Sequence, residues 1–117
     1  MSNVDFNSLE IDMIEGLKDY IEYIKADYRK WYGRRDDEIA QEFIRKFEAG
    51  VEVEVGNKYL KVITGGSVHS FICLKDIGKF ARGDILKAAS WRSPAKNFPR
   101  GNVIARKYGA TSWTGAM

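Results

Sequence analysis

The chain has one cysteine (Cys73), one histidine (His69) and only two prolines (Pro94 and Pro99) in 117 residues. A lone thiol cannot close an intramolecular disulfide, which fits a reducing compartment. One Cys and one His exclude a structural zinc site built within a single chain. No apolar run approaches the roughly 20 residues of a membrane span. The opening MSNVDFNSLE lacks the basic region and apolar run of a secretory signal. The expectation is a soluble protein of the cytoplasm. Acidic residues are also scarce in one region: after Lys75 the only ones are Asp76 and Asp84.

The charge that is present is divided between the halves. Residues 1–57 hold 8 Lys/Arg against 14 Asp/Glu, and residues 58–117 hold 11 against 2. The formal +3 therefore hides a dipolar sequence. A one-sided basic segment attracts phosphate or an acidic surface. Hydrophobic content of 44% and this length suit one domain with its own core. That domain spans 1–117, with a helical part at 8–49 and a sheet part at 51–117.

Residues 8–32 read as a long helix. Ile14, Leu17, Ile21, Ile24, Tyr28 and Trp31 follow steps of three and four. Asn7 and Glu10 have capping-box spacing, and Gly33 is placed to end the helix. The stripe can pack on a sheet of the same chain, or form the seam of a homodimer through helix 8–32. Intrachain packing is favoured, because three heptads are short for a coiled coil. After the Arg34-Arg35-Asp36-Asp37 connector, whose acids suit a cap, a second helix runs to about Ala49. Ile39, Phe43 and Phe47 lie at i, i+4 and i+8 of it, and Gly50 is a stop signal.

The period then falls to 2. Val51-Glu52-Val53-Glu54-Val55 predicts a strand with one buried face. Gly56-Asn57 predicts a two-residue hairpin with Val53 opposite Leu60, Val51 opposite Val62 and Glu52 opposite Lys61. Tyr59 to Thr64 is strand two, and Gly65-Gly66 turns the chain into a third strand, 68–74. Two loop residues place His69, Phe71 and Cys73 beside Leu60 and Val62, whereas three place Ser70, Ile72 and Leu74 there. Phe80 anchors a polar connector. Asp84 to Ala89 is a fourth strand, Pro94 to Pro99 a rigid loop, and Val103 to Tyr108 a short strand. Trp113 is positioned to tie down the polar tail. The fold class is α+β, an N-terminal two-helix hairpin on a four- or five-stranded, mostly antiparallel meander that can curl into a small open barrel.

Residues 87–107 are the candidate binding surface. Lys87, Arg92, Lys96, Arg100, Arg106 and Lys107 occur there without an acid, interleaved with Trp91 and Phe98. Cations hold phosphates and flat rings stack on bases, so the mixture suits single-stranded nucleic acid or a nucleotide. Asn97, Gly101 and Asn102 add backbone and amide donors. In the opposing reading the basic segment neutralises the acidic helices, with Trp91 and Phe98 in the core. His69 and Cys73 lie ~13 Å apart on an extended strand, too far for a nucleophile–base pair. Asp36, Asp37 and Glu38 read as capping groups, and Asp84 as a turn residue. No cofactor fingerprint, metal set or catalytic constellation is visible.

Three segments, KYLKVITGGSVHSFICLKD, GDILKAASWRSPAKNFPRGNV and YGATSWTGA, resemble a family of small proteins encoded by tailed bacteriophages. The resemblance implies an accessory protein acting in the cytoplasm of an infected bacterium, and it assigns no catalytic residue. The leading expectation is a non-enzymatic protein that binds a phosphate-bearing ligand. Its contacts would be Trp91, Arg92, Lys96, Asn97, Phe98, Arg100, Asn102 and Arg106. The alternative is an inhibitor that docks on a host defence or replication protein.

Overall fold

The computed structural model describes residues 10–32, 38–109 and 111–116. Helix α1 (Ile11–Tyr32) and helix α2 (Glu38–Ala49) precede strands β1 (Val51–Val55), β2 (Tyr59–Thr64), β3 (Ser67–Cys73), β4 (Asp84–Lys87) and β5 (Gly101–Asn102). These strands form one antiparallel sheet in chain order. It stays open and closes no barrel. A separate ribbon pairs β6 (Thr111–Ser112) with β7 (Gly115–Ala116). The proposed caps Asn7, Asp36 and Asp37, and the stop Gly33, lie outside the described residues.

α1 crosses one face of the sheet, here the inner face. Its buried side is Met13, Leu17, Tyr20, Ile24 and Tyr28, packed with Val55, Leu60, Val62, Ile72, Ile85 and Val103. The expected stripe is thus rotated. Leu17, Ile24 and Tyr28 belong to it, Ile14 and Ile21 flank it half-buried, and Trp31 is 68% exposed. Tyr20 is buried completely because its hydroxyl bonds Ser70 Oγ at 2.8 Å, which removes the cost of burying a phenol. α1 approaches the C-terminal half closely at Gly16. A Cβ there would stand 2.6 Å from the Val103 carbonyl oxygen.

The first hairpin differs from expectation. Val55 pairs with Leu60, Val53 with Val62 and Val51 with Thr64. The register is therefore offset by two, and the Gly56 amide donates to the Tyr59 carbonyl at 2.9 Å, so the turn falls on Asn57 and Lys58. An even offset preserves the faces, so the valines point inward as expected. The cross-strand ion pair becomes Lys61 with Glu54, at 3.6 Å, in place of Glu52.

The third strand joins both alternatives. Gly65 and Gly66 have φ of +56° and +84°, the left-handed values a two-residue hairpin needs. Yet Ser70, Ile72 and Leu74 face inward. A β-bulge reconciles them: Ile63 pairs with Val68 and Val62 with Ser70, leaving His69 as the extra residue. A bulge puts consecutive side chains on one side. His69 and Ser70 both reach Tyr20, at 3.4 and 2.8 Å.

Phe71, Cys73, Phe80 and Leu86 form a second cluster on the outer face, so Phe80 does anchor its connector. The fourth strand ends at Lys87, with Ala88 bridged to Pro94. Val103 to Ile104 and onward is a turn, not a strand, because Asn102 Oδ1 accepts from the amides of Ile104 and Ala105. Trp113 ties the tail ribbon down. Its ring meets Tyr28 and Phe47 edge-on, and its amide donates to Asp27 Oδ2 at 2.9 Å.

Candidate functional site

Because α1 and the ribbon cover the inner face, the outer face of β1 to β3 carries the exposed chemistry. Period-2 alternation directs Glu54 from β1, Tyr59 and Lys61 from β2, and Phe71 from β3 to that side. The loop after β4 folds back over it and delivers Trp91 and Arg92. The result is a cleft of about 290 Å³ walled by Glu54, Lys58, Tyr59, Lys61, Phe71 and Arg92. Lys61 Nζ sits 4.7 Å from the centre of the Trp91 ring and 6.0 Å from that of Phe71, within cation–π range. Trp91 remains 48% exposed.

The electrostatics of the cleft are cationic on balance. Lys58, Lys61 and Arg92 oppose one carboxylate, Glu54, which meets Lys61 at the rim. Burial raises the Tyr59 phenol, with a smaller contribution from Cys73, so the ring is neutral at physiological pH. Tyr59 packs edge-to-face on Phe71 at 5.9 Å. Burial, with the charge of Asp84 adding to it, pushes the Cys73 thiol up to about 12. A thiol held protonated in an apolar cluster is a poor nucleophile. His69 cannot activate it, since His69 lies on the inner side with Tyr20 and Cys73 packs in the outer cluster.

Of the eight residues singled out from the sequence, Arg92 lines this cleft and Trp91 stands beside it, against Lys61. Lys96 is exposed outside it. Arg100 is only 5% exposed, and its Nη1 donates to Asn97 Oδ1 at 2.7 Å and to the Phe98 carbonyl at 2.6 Å. Phe98, 54% exposed, lies over that guanidinium at 3.9 Å. Asn97 also accepts from Lys79 Nζ through its carbonyl. These three residues staple the loop. Asn102 is likewise structural, donating to Asp84 Oδ1 and the Arg82 carbonyl. Asp84, as expected, shapes its turn by also accepting from the Ala81 amide. Arg106 meets Asp19 of α1 at 3.5 Å. Arg82 makes a bidentate pair with Asp12, at 2.7 and 2.8 Å, and lies 3.6 Å from Glu10. Part of the basic half therefore neutralises α1, and neither Trp91 nor Phe98 enters the core.

Lys58, Tyr59 and Lys61, which line the cleft, are not among the residues the sequence singles out. Tyr59 and Lys61 alternate with the apolar Leu60 and Val62 on a strand, which marks the outer face. Nothing local shows that a loop thirty residues later settles over them.

The family-model comparison covers nearly this whole arrangement, residues 3–117. The chain belongs to DUF7717, a family of unknown function. No curated protein and no solved structure matches it. Among the described residues no helix is long and apolar enough to cross a membrane.

Proposed function

We propose that the protein binds a phosphate-bearing ligand, single-stranded nucleic acid or a nucleotide, in the cleft between β2 and the Trp91–Arg92 loop. The observation that carries this reading is the placement of an exposed indole against Lys61, next to a cleft that Lys58, Lys61 and Arg92 line. Lys58 and Arg92 hold phosphate. Trp91 exchanges the ammonium of Lys61 for a base, and the released lysine neutralises the backbone. Base stacking on an aromatic ring is worth about 1–3 kcal/mol. On this reading, which the resemblance to phage proteins supports, the protein acts in the cytoplasm of an infected bacterium and without catalysis.

The test is titration of a labelled single strand and of mononucleotides, followed by anisotropy and by quenching of tryptophan emission. Trp91→Ala is expected to weaken binding by about 5- to 100-fold. Lys58→Glu with Arg92→Glu should abolish it without altering circular dichroism. With three phosphates neutralised, log affinity should fall with log salt at a slope near about −2. Undiminished affinity in the double variant would refute the cleft. A stoichiometric host protein retained from nuclease-treated lysate, with no phosphate dependence, would favour the inhibitor reading instead.

A further inference from the structure

We propose that α2 is a self-association surface, on which two copies of this chain pair with their α2 helices antiparallel. This is independent of the cleft, which lies on the outer sheet face. α1 does not serve as the dimer seam, since Met13, Leu17, Tyr20 and Ile24 are spent on the chain's own core. α2 is different. Ile39 is 60% exposed and Phe43 is 44% exposed, one turn apart on the same side. Phe43 borders a groove of about 480 Å³ that continues through Phe47 to Tyr28 and Trp113, with Lys46 at its rim. Exposed Trp31 adjoins it, its ring centre 6.2 Å from that of Trp113. A contiguous apolar surface of this kind marks an interaction site.

The charge order along α2 identifies the occupant. Its exposed acids, Glu38 and Glu42, lie in the N-terminal half, and its exposed bases, Arg45 and Lys46, lie in the C-terminal half; Arg45 meets Glu42 along the helix in the single copy, so association exchanges that pair for one between copies. Glu48, at the end, is held by Arg29 of α1 at 2.6 Å. A two-fold axis across the helix sets the acidic half of each copy against the basic half of the other. An isologous contact requires such self-complementarity, and opposed charges fix its register. The same axis brings Phe43 of each copy towards the other's aromatic groove. A parallel arrangement would set acid on acid and base on base.

Sedimentation equilibrium of the full chain over a wide concentration range tests this. The wild type should reach twice the chain mass. Ile39→Lys and Phe43→Glu should each weaken association at least about tenfold while leaving circular dichroism unchanged. Glu38→Lys/Glu42→Lys should be monomeric, as should Arg45→Glu/Lys46→Glu. Mixing the two should restore a dimer, now strictly of one copy of each. A wild type that stays monomeric throughout overturns the proposal. So does a dimer indifferent to all four changes, which would use another surface. Failure of the cleft variants to affect nucleic-acid binding leaves these outcomes unaltered.

Discussion

His69 holds a position that no neighbour in sequence could reveal. Its Nε2 lies 2.6 Å from the Ser112 carbonyl, an acceptor only, so Nε2 carries the proton. Nδ1 is then the acceptor, 3.0 Å from Ser70 Oγ, whose own oxygen receives the Tyr20 hydroxyl. Burial lowers the pKa of His69, and the bond to Ser112 opposes this in part. The folded protein therefore favours the neutral ring, while the unfolded chain titrates near about 6.5. Where only the unfolded chain takes the proton, stability rises with pH. Stability is thus expected to be complete above that value and to fall as pH drops through it towards the lower folded pKa. The limiting slope is about 1.4 kcal/mol per pH unit. Urea midpoints at a series of pH values check this, and His69→Gln should flatten the curve between neutrality and mild acid. Tyr20→Phe removes the donor to the buried Ser70 Oγ, which keeps only its bond to His69, and should cost about 1–3 kcal/mol. Both changes spare the cleft, which is on the opposite side of the sheet.

The elements show how far local pattern extends. Both helices, the presence of the β1–β2 and β2–β3 hairpins and the alternation of Val51 to Val55 are readable because each rests on nearest-neighbour chemistry; the register of the first hairpin is not, being two residues from the one expected. The bulge at His69 is not, because its cause is distant: Tyr20 and the Ser112 carbonyl reward two adjacent polar side chains pointing the same way. The loop over the outer face is hidden for the same reason. Arg100 reads as an exposed cation, yet the Asn97 amide, the Phe98 ring and the Phe98 carbonyl draw it inside. Contact between elements also explains Gly16. A glycine inside a helix is normally a liability of about 1 kcal/mol relative to alanine. Here Gly16→Ala should do the reverse of stabilising, since the new methyl meets the Val103 carbonyl. A loss of about 1–3 kcal/mol is expected, measurable as a lowered thermal midpoint. An unchanged or higher midpoint would show that α1 can lift from the sheet at no cost.

At the scale of the molecule, the split of charge along the sequence is only partly a split in space. Arg82 and Arg106 are turned to Glu10 and to Asp12 and Asp19 of α1, while Lys58, Lys61 and Arg92 stay at the cleft. The two groups should behave differently. Arg106→Glu is expected to leave nucleotide and single-strand affinity within about twofold and to shift stability by no more than about 1 kcal/mol, since its pair is half-exposed. Arg92→Glu should do the opposite, abolishing affinity at constant stability. Equal effects of the two in a binding titration would mean that net charge alone attracts the ligand. Finally, the ties between α1 and the ribbon join Tyr23 to Thr111, Asp27 to Trp113 and, through β3, Tyr20 to Ser112. Such pairings raise contact order and slow folding. A nascent chain on the ribosome would complete its opening helix early but could not dock the end of it until Trp113 had been synthesised. Until then, the side of the stacked Tyr28 and Phe47 rings that Trp113 covers would stand open to chaperones.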